Sequence, residues 1–371
     1  MKVGIDVHTL GSQASGNENY CLQLLQDLAR TDANGDRYII YFTHMNGRAK
    51  IPTAAQFEVK RIRPANPFIR IPFSFPVEFR REKLEVFHAQ YIIPPFCNCR
   101  AVTTIHDILY ETYPALFTAS ENFRFRTLIP WSARRADHII TVSQFSKRDI
   151  VNRYHIDPEK ITVIDEAPRD EFRLMNTEQC REIILRKYGI PHPFVLYVGR
   201  VNARKNLARL VEAFSVLKRR GIPHKLVIVG KRDWLAEHVK ARVRELSIED
   251  AVIFTGYVDW DEVPVFYNAA ELFLFPSICE GFGAPVLEAM ACGVPVVTSY
   301  GSSLEEVAGG AAILSHPLSV QSITDAMEKV ISDPELRRSL REKGLKRVTD
   351  FSGARKAKQT ISIYQKVCGR N

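Results

Sequence analysis

Short apolar runs and longer amphipathic stretches alternate along the chain. Runs of this kind, rich in Val, Ile and Tyr, are typical of buried parallel strands. In the first half they are Val3–Val7, Tyr38–Phe42, Val102–Ile105, Ile139–Val142 and Ile161–Ile164. The stretches with helical periodicity between them are Glu18–Ala29, Ser120–Arg135 and Gln144–Tyr154. This alternation predicts right-handed βαβ units that build a parallel sheet.

The alternation restarts after a polar, proline-containing break near residues 168–190. The second set of predicted strands is Phe194–Val198, Leu226–Val229, Val252–Phe254, Leu272–Phe275, Val294–Thr298 and Ala312–Leu314. The predicted helices of this half are Glu178–Lys187, Leu207–Arg220, Leu235–Leu246, Asp261–Asn268, Pro285–Cys292, Ser319–Ile331 and Pro334–Val348. Two series in succession predict an α/β fold with two Rossmann-like domains, residues 1–170 and 171–352, and a last helix within residues 353–371. Ligands of such sheets bind beyond the carboxyl ends of the strands, so we expect a site in a cleft between two facing sheets.

Residues 60–83 do not fit a simple βα unit. Prolines at positions 64, 67, 72 and 76 argue against a continuous helix, and basic residues alternate with Phe68, Phe73, Phe75 and Phe79. We expect a long loop whose phenylalanines cover the domain core. The alternative is a segment that contacts an anionic acceptor or a membrane surface.

Composition narrows the class of protein. The chain has 371 residues, 46% hydrophobic and 25% charged, which is typical of soluble globular proteins and excludes a disordered or coiled-coil chain. We find neither a signal peptide nor a membrane-spanning segment, and the scattered cysteines are expected to be reduced thiols, so we expect a cytoplasmic protein. The 51 Lys and Arg against 42 Asp and Glu favour anionic partners: nucleotide phosphates, nucleic acid or an acidic membrane.

The most informative segment, EGFGAPVLE, runs from Glu280 to Glu288 and directly follows a predicted strand. Pro285 fits the first turn of a helix, whose free N–H groups and positive dipole end favour a phosphate. Gly281 and Gly283 allow the backbone to approach a ligand closely. The two carboxylates can accept hydrogen bonds from hydroxyl groups on either side of that phosphate. The pattern therefore fits a nucleotide sugar.

The second segment, GRVNARKN, runs from Gly199 to Asn206 and follows another predicted strand. Arg200 and Lys205 lie in the loop before a helix for which Asn206 is the predicted N-cap. A guanidinium grips phosphate through two parallel hydrogen bonds, and an ammonium acts as a point charge. We expect this pair to clamp a diphosphate opposite the Glu280 loop.

Together these segments resemble the family 4 retaining glycosyltransferases, which have the GT-B fold. EGFGAPVLE fits the family's pattern of two glutamates separated by seven residues, and GRVNARKN fits its Arg/Lys phosphate clamp. Further matching pieces are TIHDILY, ADHIITVSQFSKRDIV and ACGVPVVTSYGSSLEEV. The chain is most similar to bacterial enzymes of surface-polysaccharide assembly, mannosyltransferases included.

The resemblance implies roles for the matching residues. Arg200 and Lys205 would neutralise the leaving diphosphate, Glu280 would bind donor-sugar hydroxyls, and His106 would lie beside the donor sugar and the acceptor. Glu288 would hold the ribose. The remaining implied donor contacts are Gly16, Gly199, Phe282, Gly283, Ala284, Ser303 and Leu304. The family also implies a last helix that crosses back to the first domain.

The expected reaction is transfer of a sugar from GDP-mannose or a UDP-sugar to the hydroxyl of a glycan or lipid-linked acceptor, with retention. The donor is a co-substrate, and neither a cofactor nor a metal is expected. The alternatives are a nucleotide-sugar epimerase or another GT-B enzyme, and a non-catalytic protein that binds nucleotides or membranes. Contact with an anionic membrane surface, if any, is expected to be peripheral. Nucleic acid is not expected as a partner, because only the net charge favours it. The expected location is the cytoplasm or the inner face of its membrane.

Overall fold

The computed structural model describes residues 1–12, 16–31, 35–230 and 235–370. Its contacts divide the chain into two compact units. The first comprises Met1–Glu166 together with Ser352–Asn371, and the second comprises Ala167–Phe351. Each unit contains its own parallel sheet.

The first unit is built on a seven-stranded sheet in the order β3-β2-β1-β4-β5-β6-β7, and every pairing recorded in it is parallel. Its strands are β1 Lys2–Asp6, β2 Arg37–Phe42, β3 Phe57–Arg61, β4 Val86–Gln90, β5 Arg100–Thr104, β6 His138–Thr141 and β7 Ile161–Val163. Its helices up to residue 154 are α1 Gly16–Arg30, α2 Met45–Arg48, α3 Pro67–Ile69, α4 Phe75–Glu82, α5 Leu109–Thr112, α6 Ala119–Arg135 and α7 Gln144–Tyr154.

Both faces of the first sheet are covered. Successive residues of a strand point to opposite faces, and accordingly Ile39 and Tyr41 belong to one buried apolar cluster while Tyr38 and Ile40 belong to another. Burial on both sides explains why the sequence of these strands is a continuous apolar run.

The second unit has a six-stranded sheet in the order β10-β9-β8-β11-β12-β13, again with parallel pairings. Its strands are β8 Phe194–Val198, β9 Lys225–Val229, β10 Val252–Gly256, β11 Leu272–Phe275, β12 Val296–Ser299 and β13 Ile313–Ser315. Its helices are α8 Thr177–Tyr188, α9 Leu207–Arg219, α10 Leu235–Glu245, α11 Val263–Ala269, α12 Ala284–Ala291, α13 Ser303–Ala308, α14 Val320–Ser332 and α15 Pro334–Val348.

The last helix, α16 Gly353–Val367, packs against α1 of the first unit. Its residues Ala357, Ile363 and Tyr364 belong to the same buried cluster as Val3 and Leu24. The core of the first unit is therefore completed by residues that follow the whole second unit in sequence.

The structure corrects the prediction for residues 60–83. Instead of a long loop, a nearly continuous helical run extends through α3, a π-helical turn over Arg70–Ser74, and α4. Prolines are tolerated in the first turn of a helix, where their missing N–H group has no partner to lose, and two of the four lie there, in α3 and α4. Phe75 and Phe79 are buried as expected, whereas Phe68 and Phe73 are exposed.

Two strands were missed. Strand β3 has the sequence FEVKR and none of its residues is fully buried, so it lacks an apolar run. Strand β4 has the sequence VFHAQ and is buried throughout, but its polar His88 and Gln90 interrupt the pattern.

Across the described residues, the structure has no helix with both the length and the apolar character that crossing a membrane requires.

The stability of the first unit should depend on pH because it buries three histidines, His88, His106 and His138, each less than a tenth exposed. Burial lowers the pKa of these imidazoles to about 4, about 3 and about 4. Below pH 6.5 the unfolded chain binds protons that the folded chain does not, so we expect the free energy of unfolding to fall as the pH drops from about 6.5 towards 4, by up to about 1.4 kcal/mol per pH unit for each histidine.

Urea unfolding at several pH values measures this dependence. His138 is hydrogen-bonded to the Thr162 hydroxyl at 2.8 Å, and His138→Gln, which keeps a polar group there, should reduce the slope of unfolding free energy against pH by up to about 1.4 kcal/mol per pH unit. His44→Gln, at an exposed position, is the control and should leave the slope unchanged. An identical slope in wild type and His138→Gln would contradict the prediction.

Candidate functional site

The loops that follow β8 and β11 meet at one edge of the second sheet. The two strands are paired in parallel, so their carboxyl ends lie side by side. The loop after β8 contains Gly199–Asn206, and the loop after β11 leads through Glu280 to Gly283. Both segments singled out in the sequence therefore lie at the same edge.

Glu280 is the centre of this edge. Its carboxylate, 5% exposed, accepts a hydrogen bond from Lys205 Nζ at 2.7 Å and another from Arg204 Nη1 at 2.8 Å. Burial acts to raise the pKa of Glu280, but the charges of Arg204 and Lys205 outweigh it and hold the pKa below its ordinary value. The ammonium of Lys205 also lies 4.6 Å from the centre of the Phe275 ring. Glu280 is therefore ionised and held by two cations.

Arg204 was missed in the sequence, where it was one charge among several in its loop. A single turn of 3-10 helix, Ala203–Lys205, brings it beside Lys205. Arg200 lies at the start of the same loop and is exposed, and its backbone carbonyl accepts a hydrogen bond from the Tyr197 hydroxyl at 3.1 Å. No pattern of spacing would have distinguished Arg204 from Arg200, because the choice depends on the direction of side chains in this turn.

Asn206 joins the loops and occupies the predicted N-cap position of α9, but its side chain does not cap the helix. It adopts a left-handed backbone conformation with φ 62°. Its side-chain amide instead donates to the carbonyls of Pro276 at 3.0 Å and Pro317 at 2.6 Å. The N-cap of the preceding turn is Asn202, whose Oδ1 accepts from the backbone N–H of Lys205 at 3.1 Å. These bonds fix the two loops to each other.

Gly283 is required by its surroundings at the start of α12. Its φ is +108°, and a Cβ atom there would lie 2.5 Å from Leu304 Cδ2. The Ser303 hydroxyl donates to the carbonyls of Glu280 and Phe282 at 2.7 and 2.9 Å. Ser303 and Leu304 therefore fix the backbone that precedes the helix, and the half-buried Ala284 is its first residue.

Glu288 lies in the second turn of α12 and is 7% exposed. Its carboxylate accepts a hydrogen bond from the Tyr267 hydroxyl at 3.2 Å. Gly199 is also confined, since its φ is +152° and a Cβ atom there would lie 2.9 Å from the Tyr197 hydroxyl oxygen. The second unit thus brings together Gly199, Lys205, Glu280, Phe282, Gly283 and Glu288 on the loops and helix of one sheet edge.

His106 belongs to the first unit, just after β5, and is 7% exposed. Its ring nitrogens lie 3.4 Å from Gln90 Oε1 and 3.8 Å from Glu166 Oε1. Burial lowers the pKa of the imidazole to about 3, and Lys356 and His88 act in the same direction. His106 is therefore a neutral hydrogen-bonding group at neutral pH.

The segment that precedes Gly16, one of the donor contacts implied by the resemblance, is only partly described. Gly16 is the first residue of α1, and Gln13–Ser15 lie outside the described residues. Gly11 has φ +80° and donates its N–H to Glu18 Oε1 at 3.0 Å.

Comparison with known proteins matches both halves of the chain. Residues 181–347 match a family described as Glycosyl transferases group 1, and residues 14–166 match one described as Glycosyltransferase Family 4.

Two curated relatives are mannosyltransferases. The O-antigen chain mannosyltransferase B of Escherichia coli is 31% identical over 282 residues, which cover 76% of this chain and 74% of the relative. The O-antigen chain mannosyltransferase RfbU of Salmonella typhimurium is 27% identical over a region that covers 89% of this chain and 91% of the relative. Among solved structures, Anabaena HepE in complex with UDP and glucose has a TM-score of 0.78 at 17% identity, covering 99% of this chain and 100% of that one. This likeness shows that the chain has the GT-B fold, with two Rossmann-like domains.

The ion pairs of Glu280 should contribute strongly to the stability of the second unit. Glu280→Ala leaves two cations that are largely buried, with side-chain exposures of 25% for Arg204 and 13% for Lys205. We expect the free energy of unfolding to fall by about 3–5 kcal/mol, since removing one partner leaves buried charge uncompensated. Chemical denaturation of the purified wild type and variant measures this loss of unfolding free energy.

Glu335→Ala is the matched control, because it breaks an ion pair between exposed side chains of Arg338 and Glu335. Exposed pairs contribute less than about 1 kcal/mol. Equal losses in the two variants would contradict a special contribution from Glu280.

Proposed function

Because this chain belongs to the family 4, group 1 glycosyltransferases, it is a glycosyltransferase, and we propose that it moves a hexosyl group from a nucleoside diphosphate sugar to an acceptor hydroxyl with retention at the anomeric carbon. The mannosyltransferase names of the relatives favour GDP-mannose as donor, and the UDP and glucose bound to HepE keep a UDP-sugar as the second choice. The same names favour a surface-polysaccharide acceptor, either a glycan or a lipid-linked glycan.

The observation that carries the proposal is the pair of cations held on Glu280 next to the N-terminus of α12. A diphosphate needs positive charge and free N–H groups, and a sugar needs acceptors for its hydroxyl protons. Lys205 and Arg204 supply the charge, α12 supplies N–H groups, and Glu280 supplies an ionised acceptor. Arg200 adds a guanidinium from the exposed start of the same loop. Glu288 is the proposed acceptor for the ribose hydroxyls.

The proposed chemistry relies on charge stabilisation without a metal or another cofactor. Negative charge grows on the leaving diphosphate as its bond to the sugar breaks, and fixed cations in a largely buried site stabilise that charge without reorganising. The leaving phosphate then takes the proton of the acceptor hydroxyl on the same face of the sugar, which gives retention. His106, neutral at working pH, would hydrogen-bond a hydroxyl of the sugar or the acceptor.

We further propose that the first unit contacts an anionic membrane at the cytoplasmic face through a surface formed by α3, the π-helical turn after it, α4 and the start of α6. Phe68, Phe73 and Phe123 are 70%, 64% and 76% exposed there. A groove of about 470 Å³ lies between Phe68 and Phe123 and is lined also by Leu128 and Arg124. Exposed basic side chains on the same elements are Arg80, Arg81, Arg124 and Arg126. Aromatic rings that enter the headgroup region together with arginines near acidic lipids favour such a contact.

Glycosyl transfer should depend on Lys205 and Glu280. Purified protein incubated with GDP-mannose or UDP-sugars and a polysaccharide acceptor should release the nucleoside diphosphate at the same rate with and without EDTA. Lys205→Met and Glu280→Gln should each lower kcat by about 10²–10³-fold, since each removes a fixed charge next to the reacting groups.

Lys343→Met, an exposed lysine on α15, is the control and should keep wild-type turnover. Wild-type turnover in both Lys205→Met and Glu280→Gln would overturn the site assignment. Loss of turnover in EDTA, restored by a divalent cation, would overturn metal independence.

Membrane contact is tested by sedimentation with vesicles. We expect binding to vesicles of phosphatidylglycerol and phosphatidylcholine but weak binding to phosphatidylcholine alone. Phe68→Ser/Phe123→Ser should weaken binding to the acidic vesicles by about tenfold or more, since a buried aromatic side chain contributes about 1.5–3 kcal/mol. Tyr257→Ser, which removes an exposed aromatic residue of the second unit, is the control. Equal binding by all three proteins would contradict the proposed surface.

A further inference from the structure

The buried face of α16 carries one charged residue. Ala357, Thr360, Ile363 and Tyr364 are buried and recur at the spacing of one helix face. Lys356 lies on the same face and is only 2% exposed. An ammonium in this position departs from the apolar pattern that packing against α1 would favour.

Lys356 gains no hydrogen bond from this burial. Among the described residues, its Nζ has no hydrogen-bond partner. It lies 4.6 Å from the centre of the Tyr20 ring, in a cation–π contact with α1. Burial lowers the pKa of Lys356, and the charges of Glu166 and Asp27 act against this. Burying an ammonium without a hydrogen bond is costly even so, and an apolar residue of similar shape at such a position is often as stabilising or more so. Packing alone therefore does not explain a lysine here.

Tyr20 connects Lys356 with His106. The rings of Tyr20 and His106 meet edge to face with centroids 4.6 Å apart. Since Lys356 contacts the same Tyr20 ring, the ammonium restrains the ring that packs on the imidazole.

A second route runs from the same helix to Tyr20. The Tyr364 hydroxyl is 2.7 Å from His88 Nδ1, and His88 Nε2 is 2.7 Å from Thr104 Oγ1. The Thr104 hydroxyl is in turn 2.9 Å from the Tyr20 hydroxyl. Two side chains of α16 thus reach Tyr20, one through its ring and one through its hydroxyl.

The charge of Lys356 acts on the same group. Burial is the largest influence that lowers the pKa of His106, and Lys356 is the next. Burial also raises the pKa of Glu166, and the charge of Lys356 partly offsets that rise. The titratable groups that contact the imidazole or act on it are Tyr20 on α1, His88 on β4, Tyr91 after β4, Glu166 after β7 and Lys356 on α16.

We propose that Lys356 and Tyr364 are positioning residues, through which the C-terminal helix holds His106 in its hydrogen-bonding orientation. The catalytic consequence rests on the proposed function, in which His106 binds a hydroxyl of the sugar or the acceptor. The physical link between Lys356 and His106 does not depend on that function and is measured separately.

The first measurement is the titration of His106 by NMR with histidine labelled in the imidazole, its signal assigned by its loss in His106→Gln. Lys356→Met removes the charge while keeping an unbranched side chain, so the His106 midpoint should rise. Lys358→Met, at an exposed position two residues further along α16, should leave the midpoint where it is in wild type.

The second measurement combines steady-state kinetics with stability. For Lys356→Met we expect kcat/KM to fall by about 10–100-fold, with its acidic limb moved to higher pH, because a small misplacement of a substrate-binding group has effects of this size. The urea midpoint should stay the same or rise, which a purely structural lysine would not give. Tyr364→Phe, which removes only the hydroxyl, should lower kcat/KM in the same direction, and Lys358→Met should match wild type.

The outcomes separate the two proposals. An unchanged His106 midpoint and unchanged kcat/KM in Lys356→Met, with or without loss of stability, would overturn the positioning role. A raised midpoint in a protein that transfers no sugar from any donor would leave the link to His106 standing and overturn the proposed function instead. If Lys356→Met does not fold, Lys356→Arg and Tyr364→Phe take its place: Arg should keep the wild-type midpoint because it keeps the charge, and a wild-type kcat/KM in Tyr364→Phe would then overturn the proposal.

Discussion

The second unit depends on a buried carboxylate that needs positive charge around it. Glu280 is almost fully buried, and an ionised carboxylate in that position is tolerated only when it is paired and hydrogen-bonded. Lys205 and Arg204 satisfy it, but they belong to a different loop from Glu280. The pairing therefore requires the loops after β8 and β11 to keep one relative position, and the bonds of Asn206 to Pro276 and Pro317 maintain it. The same fixed charges are what a diphosphate would meet.

Much of the fold could be predicted from the sequence because most strands are buried on both faces. A strand such as β8 or β11 is a continuous apolar run that no exposed element resembles. Strand β3 was not predicted because it is only partly buried. Strand β4 was not predicted because its His88 and Gln90 are polar and form hydrogen bonds inside the core. The helical run through α3 and α4 was not predicted because Pro67 and Pro76 lie in first turns, where a proline costs little, and the sequence alone does not reveal where a helix starts.

The candidate site was only partly predictable, for a different reason. Glu280, Glu288 and Lys205 follow predicted strands at fixed spacings, so position along the chain was enough to single them out. Arg204 and Arg200 are four residues apart in one loop, and only the direction of their side chains distinguishes them. The role proposed for Lys356 depends on contacts with segments far away in sequence, including Tyr20 and Glu166, and no local pattern carries that information.

The position of α16 has a consequence for how the chain acquires its structure during synthesis. Residues 1–166 leave the ribosome first, yet the surface of α1 that packs against α16 has no partner until residues 353–367 have also emerged. For the whole time in which the second unit is being made, the first unit has an apolar face that is uncovered and open to chaperones or to aggregation. Order of synthesis and order of completion are thus reversed here: the unit translated first is the one whose core closes last.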